Sequence, residues 1–151
     1  MLILWFLLSS LVFSQTISEI LSADPQLSSL ASYVASFPSL AQQFRTSDNF
    51  TFLAPTNDAF STWVVGNHSS DYVEATLKYH LLNGTYPSAS LSSTPLFIPT
   101  ALTNTSYCNV TGGQRVKALN DGNVVFGSAL NTNSTVVKAV SIPPKSQPST
   151  S

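Results

Sequence analysis

Residues 50–60 read Phe-Thr-Phe-Leu-Ala-Pro-Thr-Asn-Asp-Ala-Phe, and this order of residue types leaves the backbone few choices. Phe50 to Ala54 combine aromatic and β-branched side chains that favour a buried strand. Pro55 has no N–H to give and biases Ala54 toward extended geometry, so the strand stops there. Thr56 is placed to cap a helix, with Asp58 an anion near the positive helix end. A strand that feeds a capped helix through one proline ties a β layer to an α layer, and any fold for this chain has to accommodate that junction.

The flanks supply both layers. Asp24 and Pro25 form an N-cap and first-turn pair, followed by Leu27, Leu30, Ala31 and Val34 at helical spacing. Ser36 and Pro38 restart the chain in a second helix whose Leu40, Ala41 and Phe44 can face the same core. Downstream, Asp71 is expected to cap a helix with Val73, Leu77 and Leu81 on one face, widened by Tyr72, Ala75, Tyr79 and Leu82 until Gly84 stops it. From Thr85 onward the pattern changes to short β-branched runs, predicting strands at 96–98, 107–110, 115–119, 124–126 and 135–140. Asp121-Gly122 is a favourable hairpin turn between two of them. The fold class is therefore α+β, with N-terminal helices packed on a mainly antiparallel sheet.

Composition bounds the function. Six Lys or Arg against seven Asp or Glu give a net charge of −1 in 151 residues, so no field exists to hold a phosphate backbone, and nucleic acid is excluded as a partner. Residues 1–13 are apolar except for two serines, yet as a helix they would reach only about 20 Å, short of a hydrocarbon core. Residues 1–14 are read as a signal peptide cut before Gln15, which leaves no transmembrane segment in the mature chain and points to secretion. Six Asn-x-Ser/Thr sequons, at Asn49, Asn67, Asn83, Asn104, Asn109 and Asn133, fit an N-glycosylated extracellular protein. A strand at 107–110 would make Asn109 the least accessible of them. Cys108 is the single cysteine, so the domain relies on its core and not on disulfides. Residues 141–151 form a polar, Pro-rich tail that is not expected to fold.

The chemistry-bearing residues give little support for catalysis. His68 and His80 are the only imidazoles, and no carboxylates are grouped around them, so neither a metal nor any other cofactor is expected. His68 lies in a polar loop, where solvation is its expected state. His80, at the rim of an apolar helix face, reads as an imidazole hydrogen-bonded to backbone or to the Thr56 region, fixing helix against strand. The alternative is a general base in a secreted hydrolase, but no Gly-x-Ser-x-Gly elbow accompanies it. Asp58 and Asp121 each have a local task as helix-start anion or turn residue, and Gly112-Gly113 marks a turn. Phe60 is expected in the core, while Trp63 is open to either packing or an exposed aromatic contact.

Residues 50–60 resemble the first signature of the fasciclin (FAS1) domain, and Leu77-Lys78-Tyr79-His80-Leu81-Leu82 resembles its Tyr-His motif. Residues 98–110, with Gly112-Gly113-Gln114-Arg115-Val116 and Asn123-Val124-Val125-Phe126, are similar to the sheet half of fungal secreted members. The resemblance runs from about Thr16 to Val140 and implies a single domain, the β-wedge of that family. Thr51, Pro55, Thr56, Asn57, Asp58, Phe60, Tyr79 and His80 are the motif residues it implies, in a structural or adhesion role. The family's second signature strand is missing after residue 140, so the domain is read as C-terminally truncated, with its last strand absent and a sheet edge open to a strand from another chain. The implied function is non-enzymatic: a secreted module of the cell surface or cell wall that adheres through contacts with an extracellular protein or glycan. The other alternative is a binder of an apolar small molecule between helices and sheet.

Overall fold

The computed structural model describes residues 16–46, 48–64, 66–127, 133–135 and 140–142. The chain enters through helix α1 (Ile17–Ala23). Helical spacing alone places the first helix only after Asp24, but Thr16 and Glu19 form a reciprocal capping box: Thr16 N–H donates to Glu19 Oε2 at 2.8 Å and Glu19 N–H to Thr16 Oγ1 at 3.3 Å. Asp24 does act as a cap, accepting from Gln26 N–H at 3.0 Å, yet the element it caps is a single 3₁₀ turn (Pro25–Leu27). Helices α2 (Ser28–Ala35) and α3 (Pro38–Thr46) come next. Ile17, Leu21, Leu27, Leu30, Val34, Leu40 and Phe44 are all buried in one core.

Strand β1 (Phe50–Phe52) is buried at every residue, and α4 (Asn57–Val64) comes directly after it. Helix α5 (Ser70–Tyr79) is capped by Ser69, whose Oγ accepts from Tyr72 N–H at 3.3 Å, so Asp71 lies in the first turn and is not the cap. The helix also ends earlier than its apolar stripe. His80 closes it, and Leu81–Asn83 form strand β2, antiparallel to β1 with Phe50 opposite Asn83 and Phe52 opposite Leu81. Leu82 pairs with Thr51 of β1, Leu81 O accepts from Ala101 N–H at 2.8 Å, and both side chains stay buried, so tertiary context overrides their helical spacing.

The remaining strands are β3 (Leu96–Pro99), β4 (Arg115–Asn120), β5 (Val124–Gly127), β6 (Asn133–Thr135) and β7 (Val140–Ile142). They form two antiparallel sheets, β2-β1-β7 and β3-β4-β5-β6, linked by a bridge between Leu82 and Thr100. The expected strand at 107–110 is absent. Residues 105–107 turn, Gly113 N–H donates to Val110 O at 3.1 Å, and Gly112 and Gly113 both take positive φ, which bends this stretch away from any ladder. The run at 135–140 is not shown as one strand: Thr135 closes β6, Val140 opens β7, and 136–139 lie outside the described residues. Ser141 and Ile142, assigned to the tail from sequence, stand opposite Thr51 and Phe50 in β7, held in the sheet by antiparallel pairing. The signal peptide and the rest of the tail also lie outside the described residues.

A second core, made of Leu82, Leu91, Ile98, Val116, Ala118 and Phe126, fills the space under the larger sheet. Glu74 on α5 ties the helical layer together at the surface. It accepts from Ser39 Oγ at 2.7 Å and pairs with Lys78 at 2.9 Å, and these bonds hold its carboxyl below its ordinary pKa.

Candidate functional site

The motif residues converge on the seam between β1, β2, α4 and α5. Thr51 is completely buried, and its hydroxyl is used in both directions: Oγ1 donates to Gly84 O at 3.0 Å and accepts from Tyr86 N–H at 3.0 Å. It therefore pins the turn after β2 against the middle of β1. Phe50 and Phe52 pack on Phe44 of α3, with ring centroids 6.0 and 4.9 Å away. Leu53, one residue past β1, donates its N–H to His80 O at 2.9 Å, which joins the two signature stretches through main chain.

His80 is partly buried, and its ring turns back along α5. Nδ1 lies 2.8 Å from Thr76 O, and because a carbonyl can only accept, this contact assigns the imidazole proton to Nδ1. Burial lowers the His80 pKa below its ordinary 6.5, opposed in part by that hydrogen bond. The Tyr79 ring meets the imidazole edge to face at 6.1 Å and packs against both the second core and a small cluster of Ala75, Leu102 and Cys108. Cys108 is buried, its thiol 3.3 Å from Val110 O.

At the start of α4, Thr56 O accepts from Phe60 N–H at 2.8 Å, and Thr56 Oγ1 lies 3.5 Å from Ala59 N. Asp58 stands in the first turn, its carbonyl accepting from the hydroxyls of Ser61 and Thr62 at 2.9 Å each. Asn57 does something no local pattern announces. Its Oδ1 accepts from Ser29 N–H at 3.0 Å, while Nδ2 donates to Pro25 O at 2.9 Å and Ser28 Oγ at 3.1 Å. Leu27, the residue before α2, has no side-chain cap bond of its own, so Asn57 caps that helix from 28 residues downstream. Pro55 is what stops β1 in time for Asn57 to reach it.

Phe60 is buried and starts a run of rings. Tyr33 meets it edge-on at 4.8 Å, Trp63 lies 5.8 Å away, and Trp63 stacks on His68 at 4.9 Å. Tyr72 then lies 4.8 Å from His68 and 6.1 Å from Tyr107. His68 is exposed, as its polar loop suggests, and its ring clusters with Trp63 and Tyr72, which lie 6.2 Å from each other. Trp63 takes the packing role as a partly buried member of the core.

Chemically, the Thr51 hydroxyl and the His80 Nδ1 of the seam are both spent on backbone groups. The contact made by the His80 ring nitrogens is to backbone, and among the described residues no group of three His, Cys, Asp or Glu side chains is positioned to hold a metal ion. Asn49, Asn67, Asn83, Asn104 and Asn109 are all exposed, Asn109 because the strand expected around it does not form; the side chain of Asn133 lies outside the described residues.

Comparison with known proteins gives the same picture at family level. The family model for the fasciclin domain matches residues 25–142. A fasciclin-like arabinogalactan protein of Arthroderma benhamiae is 32% identical over 145 residues, covering 90% of this chain and 34% of that protein. A fasciclin-like arabinogalactan protein of Phaeosphaeria nodorum is 34% identical over 130 residues, covering 82% of this chain and 41% of that protein. The chain thus spans between a third and a half of the length of these relatives.

Proposed function

The chain belongs to the fasciclin family, and from that membership we propose that it is an extracellular adhesion module. It makes contacts with a protein or glycan of the cell surface or cell wall and does not catalyse a reaction. The observation that carries this reading is the family match across residues 25–142, which takes in the whole junction of strand, capped helix and Tyr-His motif. The buried, backbone-directed contact of His80 supports a scaffolding role for the motif residues, in place of general-base chemistry. Secretion through residues 1–14 and N-glycosylation belong to the same proposal, supported by the exposure of five sequon asparagines. Self-association by strand addition at a sheet edge is a further part of it.

Expression of the full chain in a secreting yeast tests the proposal. The expected result is protein in the medium whose gel mobility shifts on endoglycosidase treatment, and which retains cells when coated on a surface. A single unshifted band held inside the cell, or a coated surface no more adhesive than albumin, contradicts it.

A further inference from the structure

The outer face of the larger sheet carries a row of side chains that the fold itself does not use. Strand β4 alternates: Val116 and Ala118 are buried in the second core, while Arg115 and Lys117 are exposed. The register sets Phe97 of β3 directly opposite Lys117, and Pro99 opposite Arg115. Farther along the same face, Leu119 stands opposite Val125, both half-buried. Phe97 is 59% exposed, more than any other large apolar side chain among the described residues. Opposed residues in such a ladder have Cβ atoms about 5 Å apart, and alternate residues of one strand lie about 6.5 Å apart. The ring and both cations therefore share one small patch.

Among the described residues neither Arg115 nor Lys117 is in an ion pair. Arg115 and Lys117 are two of only six Lys and Arg residues in the chain. The ion pair found among the described residues is Glu74 with Lys78, on a different element. β4 is hydrogen-bonded to a neighbour on both sides, so Arg115 and Lys117 are reached through their side chains. A partner that covers an exposed ring and neutralises the cations set beside it by the ladder needs an apolar face and a carboxylate close together on one unit. A uronic acid residue has both: the C–H face of its pyranose can lie on Phe97 while its carboxylate takes the forked hydrogen bonds of Arg115 or the ammonium of Lys117. An acidic peptide would meet the cations through flexible side chains and has no rigid element to lay on the ring.

The geometry points to a binding site for an anionic polysaccharide, a chain of uronic acid residues, on the outer face formed by Phe97, Arg115 and Lys117. This names a partner class for the adhesion reading and rests on it.

The probe is a hexagalacturonate, titrated calorimetrically into the purified full chain, with cellohexaose as the neutral control and an oligoglutamate as the acidic peptide control. The site predicts binding of the uronate oligomer alone, weakening on the order of tenfold as salt rises from about 50 mM to about 0.5 M. Arg115→Gln with Lys117→Gln should lower affinity at least tenfold, and Phe97→Ser several-fold. All three positions are exposed, so melting temperatures should stay at the parent value, and a variant that melts lower is replaced by Phe97→Thr or the single charge variants. Equal binding of cellohexaose or of oligoglutamate, no binding of the uronate oligomer, or unchanged affinity in the variants overturns the site. So does a dimer in sedimentation that Phe97→Ser dissolves, because a second copy would then be the occupant. If the triple variant still retains cells when coated, the polysaccharide site is wrong and the adhesion reading stands; if the parent chain retains none, the adhesion reading itself is wrong.

Discussion

Leu53 N–H and His80 C=O meet at 2.9 Å, one residue beyond the rung formed by Phe52 and Leu81. The strand signature and the Tyr-His motif are therefore bonded through main chain, independently of the imidazole. This separates two roles at position 80: the backbone closes the seam, and the side chain stabilises the end of α5.

His80→Ala is accordingly expected to fold with the same topology and to lose about 1 to 2 kcal/mol, the net worth of the Nδ1–H bond to Thr76 O with some buried ring area. Urea unfolding measures this. A variant of unchanged stability would mean that the imidazole is not part of the scaffold, and the competing view of it as a reactive base would regain its footing.

The same residue sets a pH dependence. Burial lowers its folded-state pKa below 6.5, so the unfolded chain binds the proton more readily. The His80 contribution is complete above its ordinary value and is lost as pH falls from about 6.5 toward the folded-state value. Glu74, whose pKa is lowered from 4.5, loses its contribution in a separate, more acidic window. Melting temperature measured across both windows should fall in the upper one for the parent chain, and His80→Gln should flatten that part of the profile.

Asn57→Ala removes three hydrogen bonds at once and strips the side-chain cap from the start of α2. The expected loss is about 1 to 3 kcal/mol. Asn57→Asp keeps the acceptor for Ser29 N–H but loses the donors to Pro25 O and Ser28 Oγ, so its unfolding midpoint in urea should fall between those of the parent and the Ala variant.

Thr51→Val preserves shape but removes a buried hydroxyl that serves Gly84 O and Tyr86 N–H. Two half-buried backbone groups lose a partner, a cost of about 1 to 3 kcal/mol, and Thr51→Ser should recover most of it. Equal stability of the Val and Thr forms would show that the Tyr86 amide finds another acceptor.

What is legible in the sequence is mostly local. The Phe50–Phe60 run, the turn at Asp121-Gly122 and strands β3 to β5 arise from residue types that bias their own backbone, and each lies where those biases place it. The capping box at Thr16 and Glu19 is an equally local signal, and it marks α1 where apolar spacing does not. Other features are out of reach in principle. Leu81 and Leu82 suit helix α5 as well as strand β2, and only pairing with β1 decides between them. Asn57 reaches a helix 28 residues upstream, and the clustering of the exposed His68 ring with Trp63 and Tyr72 depends on how α4 meets α5. Nor does any motif mark Phe97, Arg115 and Lys117, which become neighbours only through the register of β3 and β4.

Amide hydrogen exchange at Leu53 tests most directly whether the two signature stretches form one structural seam. If they do, the Leu53 amide exchanges as slowly as those of Phe52 and Leu82, through unfolding of the whole domain, and His80→Ala speeds all three in parallel. Exchange at Leu53 as fast as at an exposed loop amide such as Thr105, while Phe52 stays protected, would contradict the account.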